Sequence, residues 1–173
     1  RADIHSNLLF AMHFHPDFTG EEILEEHRMW NRIHAQPLRG EFKRHQNNRS
    51  SNRKLRVGFV SGDFTDHPVA HFLQPLLENL DRAQIEPIAF SNTANETPFS
   101  STLRNKMPAW HSILHLSDAD AADLIRSLQI DILVDLMGYT GLARTACVAR
   151  RPAPIQVSWL GYSATTGADF YDY

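Results

Sequence analysis

The stretch Leu55–His71, LRVGFVSGDFTDHPVAH, constrains the fold more than any other part of the chain. It begins with apolar and β-branched residues, which are typical of a strand. Ser61, Gly62 and Asp63 then form a small polar turn. Pro68 suits the first turn of a helix. A strand, a short polar loop and a helix predict the first unit of a parallel α/β sheet, in which ligands bind beyond the carboxyl ends of the strands.

The rest of the chain continues this alternation. Strands are predicted at residues 55–60, 86–91, 112–116, 130–136 and 155–160. Helices are predicted at residues 69–81, 98–106, 118–129 and 141–150. The terminal GADFYDY is typical of a further strand. The alternation predicts an α/β fold, a Rossmann-like, doubly wound parallel sheet with right-handed crossovers.

The residues before the sheet divide into two parts. Residues 1–36 predict a helical segment, with one helix at 2–14 and a second that begins at Thr19, where Glu22 completes a capping box. Residues 37–54 are polar and basic and predict a linker, leaving 55–173 as the Rossmann-like lobe. A nucleic-acid arm is the alternative for the linker, but interleaved aromatic residues are missing apart from Phe42.

Composition excludes several classes of protein. The net charge of −3 gives no case for nucleic acid as a main partner. The single cysteine, Cys147, excludes an internal disulfide and fits a reducing compartment. No apolar run approaches the roughly 18 residues of a membrane span. We therefore expect a cytoplasmic protein without a membrane partner.

Two blocks of sequence resemble one known family. VSGDFTDHPVAHF at 60–72 and MGYTGLARTACVARRPAPIQVSWLGYSATTG at 137–167 are similar, in order and spacing, to the catalytic region of glycosyltransferase family 41. This family includes the O-linked N-acetylglucosamine transferases and the SPINDLY-like enzymes. The resemblance implies the N-terminal lobe of a GT-B glycosyltransferase, preceded by helices that resemble the end of a TPR array.

The resemblance also implies a function. It predicts inverting transfer of a sugar, GlcNAc from UDP-GlcNAc, to Ser or Thr hydroxyls of a protein acceptor. No cofactor and no metal are expected. The donor is gripped mainly by the C-terminal lobe, which this sequence lacks, so we expect the lobe of residues 55–173 to be incomplete and neither tight donor binding nor turnover from this chain alone.

His67 is the predicted catalytic residue, because the resemblance places the active-site histidine in its His-Pro motif. An imidazole titrates close to working pH and can relay the proton of an acceptor hydroxyl. Whether His67 acts as a base or only positions the substrate stays open, and a histidine that merely hydrogen-bonds its loop is the structural alternative.

Other residues are predicted to bind substrate from loops at the same edge of the sheet. Asp63 follows the first strand, although an aspartate there also suits a turn or helix cap. His71 stands four residues after His67. The remaining candidates follow the fourth and fifth strands: Gly138, Tyr139, Thr140, Gly161 and Tyr162.

Three alternative functions remain at this point. The first is an O-fucosyl or O-glucosyl transferase of the same family, and the second is a non-catalytic α/β binding scaffold. A zinc hydrolase built on His67 and His71 is the weakest, because Pro68 stands where a zinc-site glutamate would be expected and no further ligand set is present.

Overall fold

The protein forms a five-stranded parallel sheet in the order β3-β2-β1-β4-β5. The structure is a computed structural model that describes residues 1–173. The strands are β1 (Leu55–Ser61), β2 (Ile85–Ser91), β3 (Ala109–Ser112), β4 (Ile132–Asp135) and β5 (Ile155–Ser158). The strand order reverses direction between β1 and β4, which makes that junction the topological switch point where ligands of such sheets bind. The predicted Rossmann-like α/β fold is confirmed.

Six α-helices surround the sheet. They are α1 (Ala2–Met12), α2 (Gly20–Trp30), α3 (Pro68–Asn79), α4 (Pro98–Lys106), α5 (Asp118–Ser127) and α6 (Thr145–Val148). A π-helical turn at Asn31–Ala35 and a 3-10 helix at Gln36–Glu41 follow α2. None of these helices is long and apolar enough to cross a membrane.

Two apolar clusters cover the two faces of the sheet. One contains Leu73 and Leu77 of α3 with Leu103 of α4. The other joins α5 and α6 to the N-terminal helices, which contribute Leu9 and Trp30. Residues 1–36 therefore pack against the sheet, because Leu9 and Trp30 belong to its core.

Local signals placed the N-terminal helices well. The capping box of α2 is present: the Thr19 side chain accepts from the Glu22 N–H at 3.2 Å, and the Glu22 carboxylate accepts from the Thr19 N–H at 2.8 Å. The predicted linker begins inside the 3-10 helix and then runs without helix or strand along the N-terminal edge of the sheet. There Asn47 donates to the Ile130 carbonyl at 3.0 Å.

Three predicted elements differ most from the structure, while several others are shorter by one to three residues. β3 spans Ala109–Ser112 rather than 112–116. The prediction was shifted because Ile113, a buried apolar residue, lies just beyond the end of the strand. α6 is limited to Thr145–Val148, since Leu142 has a φ of 63° that is incompatible with an α-helix. Residues 168–173 form no strand; Asp172 and Tyr173 make backbone hydrogen bonds to β5 without a regular ladder.

Candidate active site

The loops that follow β1, β4 and β5 meet at the C-terminal edge of the sheet, and we call this edge the rim. The Ser61 hydroxyl donates to the Met137 sulfur at 3.3 Å. A Cβ on Gly62 would lie 2.6 Å from Leu142 Cβ, and a Cβ on Gly138 would lie 2.5 Å from Tyr162 Cβ. The three loops therefore contact one another around the switch point, as the sequence predicts for a shared site.

His67 lies on the rim at the start of α3. Its Nδ1 accepts a hydrogen bond from the Val69 N–H at 3.3 Å, so the side chain caps the helix. The imidazole is 42% exposed. Because Nδ1 accepts in this arrangement, the proton of the neutral ring is on Nε2, and the ring presents a donor to its surroundings.

Asp63 lies beside His67. One oxygen of its carboxylate is 3.5 Å from His67 Nδ1, and its own N–H donates to the Ser61 hydroxyl at 2.9 Å. Burial raises the pKa of Asp63, and the neighbouring imidazole partly opposes that rise. The cap of α3 is thus His67, and Asp63 is a half-buried partner of the candidate catalytic ring.

His71 has partners of its own. Its Nε2 lies 2.7 Å from the Asp66 carboxylate, and its ring packs 4.4 Å from the ring of Phe99 on α4. The two histidines have separate partners, so the geometry gives no support to a zinc pair. No group of three or more His, Cys, Asp or Glu side chains in the structure is arranged to hold a metal ion.

The loop after β4 divides its predicted residues between core and surface. Tyr139 is 0% exposed, and its hydroxyl donates to the Thr166 carbonyl at 2.9 Å. Its ring packs 4.9 Å from that of Trp30, and burial raises its pKa. The Tyr139 hydroxyl is therefore buried and already bonded, and the substrate-binding role of Tyr139 stays a prediction.

Gly138 and Thr140 flank this buried tyrosine. Gly138 has a φ of 60°, a conformation that glycine adopts without strain. The Thr140 hydroxyl donates to the Met137 carbonyl at 2.9 Å, and Thr140 lines a pocket of about 280 Å³ between this loop and α1. Of the three predicted residues of the loop, Thr140 is the one whose side chain borders open space.

The loop after β5 is fixed by close contact. A Cβ on Gly161 would lie 1.5 Å from the Leu136 carbonyl oxygen, so only glycine fits there. Tyr162 is 8% exposed, and its hydroxyl lies 2.6 Å from His27 Nε2 and 3.0 Å from His13 Nε2. Two imidazoles therefore already bond to this hydroxyl, and the substrate-binding role of Tyr162 stays a prediction.

The bond from His27 to the backbone sets the direction of this chain of hydrogen bonds. His27 Nδ1 lies 2.6 Å from the Ile23 carbonyl and must donate to it. Its Nε2 then accepts from the Tyr162 hydroxyl, whose oxygen accepts from His13. Burial lowers the pKa of His27, which favours this neutral form. Sequence reasoning missed this role of His13 and His27; the available signal was a histidine at the apolar spacing of Ile23 and Trp30.

Comparison with known proteins identifies the family of the chain. The family model described as Glycosyl transferase family 41 matches residues 27–173, most of the chain. The chain belongs to this family. The predicted resemblance is therefore confirmed.

Relatives of this family 41 chain include a probable UDP-N-acetylglucosamine--peptide N-acetylglucosaminyltransferase SPINDLY of Hordeum vulgare, 31% identical over 96% of the chain and 18% of the relative. A UDP-N-acetylglucosamine--peptide N-acetylglucosaminyltransferase of Caenorhabditis elegans is 39% identical over 71% of the chain and 11% of the relative. The chain thus spans less than a fifth of the length of these curated relatives.

A solved structure has the same fold. It is a mutant of the Thermobaculum terrenum O-GlcNAc transferase, which matches with a TM-score of 0.92 and 35% sequence identity. The match covers 99% of the present chain and 33% of that one. It is consistent with one α/β lobe of a GT-B enzyme.

Two further residues of this family 41 rim were not predicted as site residues. Asp135, at the end of β4, is 1% exposed and accepts from the N–H groups of Met137 and Gly138 and from the Tyr171 hydroxyl. Burial raises its pKa to about 6. The available signal was a charged residue inside an otherwise apolar strand.

Arg144 ties the loops beneath the rim together. Its guanidinium donates to the Asp118 carboxylate at 2.7 Å, to the Asn92 side chain at 3.1 Å and to the Ile113 carbonyl at 2.7 Å. These partners follow β2 and β3, so one buried cation connects the segments after three strands. The glycine-rich motif that contains Arg144 is therefore part of the rim's framework.

Proposed function

We propose that this chain is part of a protein O-glycosyltransferase that transfers GlcNAc from UDP-GlcNAc, with inversion, to Ser or Thr hydroxyls. Membership in family 41 and the names of its relatives support this donor over the fucosyl and glucosyl alternatives. The observation that carries the proposal is the half-exposed His67 ring on a rim formed by the loops after β1, β4 and β5.

In this reaction the acceptor oxygen forms a bond to the anomeric carbon while the bond from that carbon to the diphosphate breaks on the opposite face. The acceptor proton must leave, and the departing diphosphate must be stabilised. We assign alignment of the reacting groups to His67, because its Nε2–H is available as a donor toward an oxygen of acceptor or sugar. The hydrogen bond from the Val69 N–H fixes the orientation of its ring.

Base catalysis by His67 is the second candidate role, and it depends on the Asp63 carboxylate. A base needs a free Nε2, which requires the proton to move to Nδ1, where only the Asp63 carboxylate could stabilise it. The present hydrogen bond from Val69 to Nδ1 favours the positioning role.

The proposal includes partners outside this chain. A second, C-terminal lobe would grip the nucleotide and neutralise the diphosphate, and a protein segment would enter the cleft as acceptor. No cofactor and no metal ion are required by this scheme. We propose that the protein acts in the cytoplasm. Its one cysteine is buried and unpaired, which fits a reducing compartment, and nucleotide sugars are present there.

The test is His67→Ala in the polypeptide that carries this chain, assayed for transfer from UDP-GlcNAc to an acceptor peptide. Loss of an aligning group predicts a fall in kcat/KM of about 100-fold. His15→Ala, an exposed histidine on the loop between α1 and α2, is the matched control and should leave the rate unchanged. An unchanged rate in His67→Ala with folding intact would instead favour a non-catalytic scaffold.

A further inference from the structure

Asp135 is a buried carboxylate without a cation. It occupies the last position of β4, paired with Val60 of β1 and Ser158 of β5, at the switch point of the sheet. It is 1% exposed, and no Lys, Arg or His side chain forms an ion pair with it. Burial of an uncompensated carboxylate is costly, so a sequence under no other constraint would place an apolar residue here.

The hydrogen bonds of Asp135 all lead to the rim or to the segment beside it. Its Oδ1 accepts from the Met137 N–H at 3.0 Å, and its Oδ2 accepts from the Gly138 N–H at 3.2 Å. The Tyr171 hydroxyl donates to the same Oδ2. The first two bonds fix the direction in which the chain leaves the sheet toward Thr140.

Only an acceptor-only group satisfies these three donors. An ionised carboxylate has lone pairs for all of them, whereas an amide side chain would direct an NH₂ group at one of the donors. The loop has little tolerance for displacement, because Gly138 is already packed against Tyr162 and adopts a left-handed φ of 60°.

We propose that Asp135 is a positioning residue for sugar transfer, acting through the Met137 and Gly138 peptide groups to fix the loop after β4. This inference rests on the proposed function, since it concerns the reaction at the same rim. Tyr171 is the second member of the arrangement, because its hydroxyl joins the carboxylate to the segment after β5.

The experiment compares Asp135→Asn with Asp131→Asn in the polypeptide that carries this chain. Asp131 is the matched control: it lies on the same chain segment, at the opposite edge of the sheet, and is 7% exposed. Asp135→Asn should lower kcat at least about ten-fold with KM changed much less, because misplacement of a rim loop is felt in the transition state. Asp131→Asn should lower thermal stability and leave kcat unchanged.

Amide hydrogen exchange supplies a readout that does not depend on catalysis. Asp135→Asn should speed exchange in residues 136–142, whereas Asp131→Asn should not. Unchanged kcat and unchanged exchange in Asp135→Asn would overturn the proposal, as would an equal loss of kcat in Asp131→Asn. If Asp135→Asn does not fold, Tyr171→Phe serves instead, with the same two readouts and a smaller expected effect on both.

The two proposals fail in different ways. If the wild-type polypeptide transfers no sugar from UDP-GlcNAc to the peptide, the proposed function is wrong. The hydrogen-exchange comparison would still show whether Asp135 fixes the loop. An active wild type with a fully active Asp135→Asn would sink the positioning role alone.

Discussion

Two buried aspartates lie near the two edges of the sheet, and their surroundings are opposite. Asp131, just before β4, accepts two bonds of 2.6 Å from the Arg53 guanidinium and one from the Arg56 N–H at 2.9 Å. Burial alone raises the pKa of Asp131, but these bonds outweigh it and lower the pKa below 3.8. Asp135 has only neutral donors, and burial raises its pKa to about 6.

The difference separates the N-terminal edge from the rim, which we propose to be the functional edge. At the N-terminal edge the charge is compensated, and the bonds join the polar segment before β1 to the sheet. At the rim the charge is left without a cation and orders a loop. A buried carboxylate with a raised pKa and no partner cation is typical of a functional site.

The largest expected effect concerns the pH dependence of stability. The rise in the pKa of Asp135 from 3.8 to about 6 means that the folded state binds a proton more tightly than the unfolded state. The contribution of Asp135 to the free energy of unfolding therefore increases by about 3 kcal/mol as the pH falls from about 6 to about 4. Denaturation of wild type and Asp135→Asn across this range should show that the difference between their free energies of unfolding changes with pH. A difference that stays constant would contradict the prediction.

Asp131 should behave in the opposite sense. Its lowered pKa stabilises the fold above about pH 4, and that contribution disappears as the pH falls through its folded-state pKa. Arg53→Ala leaves this carboxylate buried without its cation and should lower the free energy of unfolding at pH 7 by about 2 kcal/mol. Arg49→Ala, an exposed arginine of the same segment without an ion pair, is the control and should have almost no effect.

Tyr162→Phe should produce a smaller loss. Removing the hydroxyl leaves His27 Nε2 buried without its donor and His13 without its acceptor, at a cost of about 1 kcal/mol. Thermal unfolding measures the loss. A variant as stable as wild type would show that this bond contributes nothing to the attachment of α1 and α2.

The smallest effect is expected for Asp63→Asn. If His67 positions substrate through Nε2–H, kcat should fall less than about three-fold, because Val69 still orients the ring. If His67 is a base, loss of the carboxylate should lower kcat by about 100-fold or more. The kcat of this one variant thus separates the two roles.

The sequence predicted the fold well because its signals are local. β1, β2 and α4 each match within a residue, since apolar runs and turn residues mark their ends. β3 was misplaced because two apolar residues, the buried Ile113 and the exposed Leu116, follow the end of the strand and were assigned to it. Periodicity cannot tell a strand residue from an apolar residue packed just after it.

The site was predictable only in part. The motifs located His67 and the three loops, and the structure brings those loops together. The buried hydroxyls of Tyr139 and Tyr162 were not predictable, because their partners Thr166, His13 and His27 are distant in sequence. The bonds of Asp135 likewise depend on the tertiary fold, since one donor, Tyr171, lies in a segment the sequence suggested was a strand.

The contact between Gly161 and the Leu136 carbonyl has a consequence for motion. The two backbones approach so closely that a methyl group cannot separate them, and Tyr162 closes over Gly138 beside them. We therefore expect the segments after β4 and β5 to shift together. Neither of these two segments is then free to act alone as a lid over the rim.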